Sequence, residues 1–212
     1  MKRLIFVMVM LALAFAAGPS TALAQERTAG AGRFELGAFP GGGVFFRKAA
    51  NDTEPNFGDY ALGVTGAYNV NRLVGIEGEF GGGIGVKQKI DFERGIFEHQ
   101  KSPHMLAYNG NLMVHPFGKD RAWVPYATGG IGALTVLRRD ELVDLGLNST
   151  ETFLTGNIGG GLKWYANRYW GVRGDYRFIT VNSKDTATSF FGLNDVRYGH
   201  RAYGSVIFTF GG

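Results

Sequence analysis

The sequence predicts an all-β fold, an eight-stranded antiparallel up-and-down transmembrane β-barrel preceded by a cleaved signal peptide. Three observations support this prediction. Apolar and polar residues alternate in eight segments, as expected of strands that face lipid on one side and a lumen on the other. The seven connections between these segments alternate strictly between long and short. Glycine makes up 34 of the 212 residues, about twice its usual share of roughly 7%. This composition is typical of barrels.

The first 24 residues have the features of a secretory signal peptide. Residues 1–3 are cationic, residues 4–17 form an apolar run of 14 residues, and residues 22–24 offer a small-residue cleavage site. A membrane-spanning helix needs about 20 apolar residues, so this segment is too short to be an anchor. The expected organisation is a signal peptide at 1–24, a short lead-in at 25–32 and the transmembrane β-barrel at 33–212.

Composition excludes several classes of function. The chain has no cysteine, which rules out disulfides, thiolate metal sites and a cysteine nucleophile. Removal of Lys2 and Arg3 with the leader lowers the formal net charge from +4 to +2, so no large cationic surface for nucleic acid is expected. No later segment has the 18 consecutive apolar residues that argue for a membrane helix.

The eight predicted strands follow from the alternating segments. They are placed at residues 33–46, 57–70, 73–86, 102–115, 122–137, 150–165, 169–181 and 198–210. Short turns separate them at 71–72, 116–121 and 166–168. The long polar connections are centred on Arg47–Asn56, Lys87–Lys101, Arg138–Ser149 and Asn182–Arg197. Because outer-membrane barrels have short periplasmic turns and longer external loops, we expect the long connections outside the cell. The last strand must pair with the first to leave no open edge.

Aromatic residues distinguish a membrane barrel from a soluble one. A soluble barrel of the lipocalin kind would turn its charged face to water and bury the apolar face. All three tryptophans lie within a few residues of a short turn, and none lies beside a long loop. This placement predicts an aromatic girdle at the periplasmic membrane interface. The predicted girdle consists of Tyr68, Phe117, Trp123, Trp164, Trp170, Phe208 and Phe210.

A set of charged residues shares the inward phase of the predicted strands. Its members are Glu35, Glu77, Glu79, Lys163, Arg173, Asp175, Arg177 and Arg201. The interior of an eight-stranded barrel is only wide enough for side chains to fill it, and unpaired buried charges are costly. We therefore predict a salt-bridged plug that fixes strand register, with Glu35 as the partner of Arg201. A gated ionic pathway is the alternative interpretation.

No catalytic, cofactor-binding or metal site is predicted. The glycine runs at 41–43, 81–83 and 159–161 lack the helix and the Lys-Ser/Thr that a phosphate loop requires. No two of the four histidines have metal-ligand spacing. His104 with Ser102 is the nearest approximation to a histidine–serine pair of a hydrolase.

Together these features resemble the small eight-stranded outer-membrane β-barrels of the OmpA/OmpX type. The resemblance covers residues 33–210 and rests on the leader, the loop alternation, the girdle and the aromatic end of the last strand. It implies a bacterial outer-membrane location, contact with outer-membrane lipid and lipopolysaccharide, no nucleic-acid partner, and a monomer inserted by the barrel-insertion machinery through the C-terminal strand. Two departures are the trailing Gly211-Gly212 and the lack of the peptidoglycan-binding domain that follows the barrel in full OmpA-like proteins.

The expected function is non-enzymatic, with a structural or adhesive role for a barrel that presents external loops. The alternative is a narrow porin-like channel for ions or small solutes, and a lipid-modifying enzyme is a third hypothesis. The loops carry cations that are candidates to contact lipopolysaccharide phosphates, namely Lys87, Lys89, Arg94, Lys101, Arg138 and Arg139. The same loops also contain acidic residues, so ordinary solvated loops are the alternative.

Overall fold

The computed structural model describes residues 31–48, 57–92, 95–138, 149–182 and 196–211. Their ten strands are β1 (Phe34–Lys48), β2 (Phe57–Asn69), β3 (Val74–Ile84), β4 (Lys87–Phe92), β5 (Gly95–Lys101), β6 (Met105–Val114), β7 (Trp123–Val136), β8 (Glu151–Tyr165), β9 (Trp170–Asn182) and β10 (Val196–Phe210). Eight of them close into one antiparallel barrel in the order β1-β2-β3-β6-β7-β8-β9-β10. The predicted eight-stranded up-and-down barrel is therefore confirmed. The predicted signal peptide and most of three long loops lie outside the described residues.

The prediction that residues 87–101 form an irregular loop is wrong, because this segment contains the hairpin β4–β5. The hairpin pairs Lys87 with Lys101 at its base and Phe92 with Gly95 at its tip. Its strands are only 6 and 7 residues long, and alternating apolar positions stand among many charges. The charges suggested a solvated loop, whereas the backbone pairs as an extension beyond the barrel wall.

The first and last strands close the barrel, as the sequence predicts. Pairing of β1 with β10 runs from Phe34 opposite Phe210 to Lys48 opposite Arg197. A bulge interrupts β1 between Ala38 and Gly41, where Pro40 has no N–H to contribute to a ladder. Such a bulge increases the local bend of a strand, which suits a narrow barrel.

Burial alternates along the barrel strands with the apolar face outward. In β10, Ala202, Val206 and Phe210 are exposed, whereas Arg201 and Tyr203 are buried. The exposed row therefore faces lipid and the buried row faces the lumen, which inverts the arrangement of a soluble barrel. Within the ranges described, no helix is long and apolar enough to cross a membrane.

Two rows of outward glycines indent the lipid-facing wall. Gly66, Gly78 and Gly110 are directly paired across β2, β3 and β6. They line a shallow groove of about 640 Å³. On another side of the barrel, a second row pairs Gly41 with Gly204 and Gly204 with Gly174. Apart from Gly41, which belongs to the run at 41–43, the rows consist of glycines outside the three runs, brought into register by the sheet.

Gly211 completes the seam between the chain ends. Its carbonyl oxygen accepts a hydrogen bond of 3.2 Å from the Arg33 N–H. Its φ of 74° lies in the left-handed region, which glycine adopts without the steric cost that other residues incur. The residue after the aromatic end of β10 thus has a local structural role that the sequence pattern did not indicate.

Candidate functional site in the barrel lumen

The periplasmic end of the lumen contains an ion pair within a small polar cluster. Lys163 Nζ lies 2.8 Å from Glu35 Oε2. The Tyr165 hydroxyl donates to the same oxygen at 3.0 Å, and Asn69 Nδ2 donates to Glu35 Oε1 at 2.6 Å. Because three neighbours donate to the Glu35 carboxylate, its burial costs less than that of an isolated charge.

A short segment before β1 covers this cluster from the periplasmic side. Lys119 Nζ donates to the carbonyl oxygens of Ala31 and Gly32 at 3.0 and 3.1 Å. The Ala31 side chain is buried together with Val124, Tyr165 and Ile207. The segment and the turn that contains Lys119 therefore form the periplasmic cover of the lumen.

The middle of the lumen contains the most densely connected charges. Arg173 forms ion pairs with both Glu77 and Asp175. Arg177 bonds Glu77 at 2.7 Å and Asp175 at 2.9 Å. The Tyr126 hydroxyl donates to Asp175 and accepts from Arg173 Nε at 2.6 Å. Each arginine bridges two acids, so the cluster joins opposite strands of the barrel.

Arg201 and Glu79 form the next level toward the external side. The two groups make a bidentate pair, with Arg201 Nη1 2.7 Å and Nη2 2.8 Å from the two Glu79 oxygens. The Tyr203 hydroxyl donates to Glu79 at 3.3 Å, and Asn109 Nδ2 donates to it at 3.1 Å. Arg177 also approaches Glu79 at 3.4 Å, which connects this pair to the central cluster.

The predicted pairing of Arg201 with Glu35 is wrong. The barrel register places Thr209, not Arg201, opposite Glu35, and Arg201 lies opposite Val44. The two charges therefore lie at different levels of the lumen, although their strands are neighbours. Arg201 reaches across to β3 because the strands are tilted and staggered in a closed barrel.

The structure thus brings all eight predicted lumen residues inside the barrel. They comprise four carboxylates and four cationic side chains, and none is more than 5% exposed. Their formal charges cancel, so the attraction within the network offsets part of the desolvation penalty that each buried ion incurs. That the network fixes strand register remains a prediction from the sequence.

An apolar level that was not predicted from the sequence lies above the charges. Inward-facing side chains at the external ends of the strands form a buried cluster of Val44, Phe46, Phe57, Ala61, Met105, Leu134, Val136, Phe153 and Val181. The cavity between this cluster and Arg201 measures only about 30 Å³. The sequence does contain an indication of this level, because the inward-facing positions of β1 and β7 become apolar toward the long loops.

His115 is a fully buried histidine that follows β6 directly. Its side chain has no exposed surface, and neither ring nitrogen has a hydrogen-bond partner. Burial, and then the positive charge of Lys163, lower the pKa of His115 to about 4, which Glu35 opposes in part. The imidazole is therefore neutral at ordinary pH.

The seven residues of the predicted girdle lie at the periplasmic ends of the strands or in the turn after β6. Trp123 and Trp164 are adjacent, with ring centroids 6.0 Å apart. Phe208 contacts Trp170, with ring centroids 5.0 Å apart, and Phe210, with ring centroids 5.9 Å apart.

Two further aromatic residues extend the girdle. The Phe34 ring lies between Phe210 and Tyr68, with centroid distances of 5.4 and 5.0 Å. The Tyr169 ring stacks on Phe208 at 6.3 Å. Phe117 is 62% exposed. Phe34 and Tyr169 were not predicted to belong to the girdle.

Comparison with known families identifies the chain. The profile of the outer membrane protein beta-barrel domain family matches residues 9–198. The chain belongs to this family. It is accordingly a bacterial outer-membrane protein, in agreement with the lipid-facing wall and the charged lumen.

Two solved structures that resemble this chain are distant from it in sequence. Neisserial surface protein A is 12% identical with a TM-score of 0.55, and the match covers 85% of this chain and 99% of that chain. The N-terminal β-barrel domain of Pseudomonas aeruginosa OprF is 17% identical with a TM-score of 0.48, over 85% and 99% of the two chains. At these identities the likeness concerns the fold alone. Comparison with curated proteins gave no match.

The pair of residues considered for catalysis does not form a nucleophile and base in this family member. The Ser102 hydroxyl is fully buried and donates to Asp59. His104 Nδ1 accepts a hydrogen bond of 3.2 Å from the Gly85 N–H. A nucleophilic serine needs its base within hydrogen-bond reach and access to substrate. Across the described ranges, no three His, Cys, Asp or Glu residues are placed to hold a metal ion.

Proposed function

We propose that this protein is a non-enzymatic outer-membrane scaffold with a structural or adhesive role. Its closed barrel holds the external loops at the cell surface, and the loops carry the recognition. A rigid scaffold that supports variable loops is a common arrangement for binding proteins. The observation that carries the proposal is the filled lumen, because a barrel that transports solutes needs a path through its interior.

Three layers in series support a closed lumen. The periplasmic cover, the charged network and the external apolar level each contain side chains with no exposed surface, namely Val124, Arg177 and Val136. Water-filled channels in this class occur in barrels of more strands. The narrow porin-like channel is therefore the less favoured of the two hypotheses.

Planar-bilayer recordings on the purified, refolded protein test the closed barrel. We expect no conductance steps above those of protein-free bilayers at neutral pH. Steady single-channel steps would overturn the closed-scaffold proposal in favour of the channel. Heat-dependent migration on a detergent gel, measured on the same sample, verifies that the protein is folded.

The loops are tested separately from the lumen. Cells that display the wild-type protein should adhere to surfaces better than cells that display a variant with residues 183–195 replaced by a short Gly-Ser turn. Both proteins must reach the surface at equal levels. Equal adhesion for this and for matching replacements of the other long loops would remove the adhesive role and leave a structural one.

A further inference from the structure

The periplasmic cover is connected through its own backbone to the buried His115. This residue begins the turn after β6, and its carbonyl oxygen accepts a hydrogen bond of 3.0 Å from the Gly118 N–H. In the same turn the Lys119 carbonyl oxygen accepts from the Ala31 N–H at 3.1 Å, and the Lys119 ammonium group donates to two carbonyl oxygens of the segment before β1. A displacement of His115 is therefore transmitted through the turn to that segment.

The surroundings of His115 fit only a neutral imidazole. The ring is fully buried, and neither nitrogen has a hydrogen-bond partner. A protonated ring carries two N–H donors, and buried donors without acceptors are costly. The charged and titratable groups that face the ring are Lys163 on β8, Glu35 on β1, Lys119 in the turn, Arg173 on β9 and Tyr126 on β7. Three of them are cationic, so an added proton would meet a net positive charge.

Glu35 is not free to compensate that charge. Its carboxylate already accepts hydrogen bonds from Lys163 at 2.8 Å, from the Tyr165 hydroxyl at 3.0 Å and from Asn69 Nδ2 at 2.6 Å. The pKa of His115, about 4 against an ordinary value of 6.5, reflects the burial of the ring and its cationic neighbours. The protonated ring therefore needs water, and water reaches it when the cover opens.

The cover can open without unpairing the barrel. Residues 31–32 precede β1 and lie outside its ladders. Besides the bonds of Lys119, Asn69 Nδ2 donates to the Gly32 carbonyl oxygen at 2.7 Å. The small Ala31 side chain is the apolar group that this segment buries in the lumen. A short attachment of this kind opens locally at a lower free-energy cost than the paired strands.

We propose that the periplasmic cover opens when His115 takes up a proton. The protonated ring turns toward water, the turn after β6 moves outward, and Lys119 releases the segment before β1. The Glu35–Lys163 pair then becomes accessible from the periplasm. The central network and the external apolar level stay in place, so the lumen remains closed to ions. This proton-dependent device goes beyond the scaffold role and does not depend on it.

Thiol labelling measures the opening directly, because the chain has no cysteine of its own. Ala31→Cys places a thiol where the side chain is 7% exposed. Its labelling rate in the folded protein is compared with the rate in the urea-unfolded protein at the same pH, so that the pH dependence of the thiol itself cancels. With a ring pKa of about 4 in the closed state and 6.5 in the open state, this protection should fall roughly twentyfold from pH 7 to pH 5.

Two variants of the Ala31→Cys protein separate the role of His115 from general loosening. His115→Phe keeps a ring and removes the titration, so protection should be the same at pH 7 and pH 5. Lys119→Met removes the two bonds that its ammonium group donates to the cover, so protection should already be lower at pH 7. Unchanged protection in Lys119→Met would overturn the role of the turn.

Val136→Cys, made in a separate protein, reports on the rest of the barrel. Its side chain has no exposed surface and lies in the external apolar level. This thiol should react far more slowly than the one at Ala31→Cys at both pH values. Equal rates at the two sites would show that the whole barrel opens, which would overturn the proposal. The same acid response with and without His115, or no acid response at all, would also overturn it. None of these results bears on the planar-bilayer test of the scaffold at neutral pH.

Discussion

At the scale of single residues, two outward glycines with different surroundings allow a matched prediction. A Cβ on Gly110 would meet no atom within 4 Å, whereas a Cβ on Gly82 would lie 2.0 Å from the Met105 carbonyl oxygen. Gly110→Ala should therefore raise the free energy of unfolding by about 0.4–1 kcal/mol through the unfolded state. Gly82→Ala should lower it by about 1–3 kcal/mol through overpacking. Urea unfolding in vesicles measures both, and equal effects would contradict the argument.

His115 gives a prediction about pH. The pKa of the ring falls from 6.5 to about 4 in the folded barrel. Between these values the unfolded chain takes up a proton that the folded chain excludes, so His115 reduces stability progressively as pH falls from 6.5 toward 4. His115→Phe keeps a ring and removes this titration. Its loss of stability between pH 8 and pH 5 should be smaller than that of the wild type in urea unfolding. Parallel pH profiles would contradict the assignment.

Substitutions in the ion pair at the periplasmic end test whether the two buried charges contribute to stability in a coupled way. Glu35→Gln leaves Lys163 without its 2.8 Å partner, and Lys163→Met leaves the carboxylate unpaired. Removing one member of a buried pair typically costs about 3–5 kcal/mol, whereas replacing both members is often close to neutral. We expect each single variant to be strongly destabilised and the double variant to recover much of the loss. Additive effects in a double-mutant cycle would contradict the coupling.

At the scale of elements, the sequence predicts strands well and their pairing partners less well. The inward phase of Arg201 follows from the period of two, which each strand carries in its own residues. Its partner does not, because the stagger between strands and the bulge after Ala38 shift the register. Arg201 consequently meets Glu79 on β3, not Glu35 on the adjacent strand. Pairing across a lumen is a property of the closed barrel.

The hairpin β4–β5 was not predicted from the sequence for a different reason. Its strands are short, and charged residues obscure the alternation that identifies the barrel strands. The side chain of Gln88 stabilises the hairpin through the backbone of Gly58 on β2. No local pattern in the sequence reveals that contact, since the two residues are separated along the chain by the whole of β3.

Gln88→Ala should loosen the hairpin without opening the barrel. The substitution removes both bonds to Gly58, and an isolated two-stranded hairpin is only marginally stable in water. Amide hydrogen exchange in β4 and β5 should accelerate, while exchange in the barrel strands stays unchanged. Lys89→Ala changes an exposed neighbour and should have little effect. Faster exchange throughout the barrel, or unchanged exchange in the hairpin, would contradict this role of Gln88.

At the scale of the whole molecule, the lumen is closed by layers of different chemistry. Charged residues whose formal charges cancel occupy the periplasmic and central parts, whereas the external part contains the apolar cluster together with buried polar residues such as Asp59 and Ser102. The charged layer was predictable, because charged residues at alternate positions of a membrane-spanning strand must face the lumen and not lipid. The apolar layer was not recognised, since inward apolar residues at the end of a strand look the same as a continuation of an ordinary core.

The layered arrangement predicts that weakening one layer does not open the barrel. Phe46 and Phe57 pack together in the apolar layer with ring centroids 5.3 Å apart. The double variant Phe46→Ala/Phe57→Ala should lose several kcal/mol of stability, since each buried Phe→Ala typically costs about 3–5 kcal/mol. It should still show no conductance in planar bilayers, because the Arg201–Glu79 pair and the central network lie beneath.

The neighbouring residue Phe45 provides the control, since its side chain is 56% exposed on the lipid face. Phe45→Ala should keep both the closed lumen and most of the stability. Heat-dependent gel migration verifies that each variant is folded before recording. Single-channel steps in the double variant would contradict this prediction and would show that the apolar layer alone blocks the passage of ions. The charged network would then be a hydrated path, because buried ion pairs that fill a lumen block ions only while water is excluded from them.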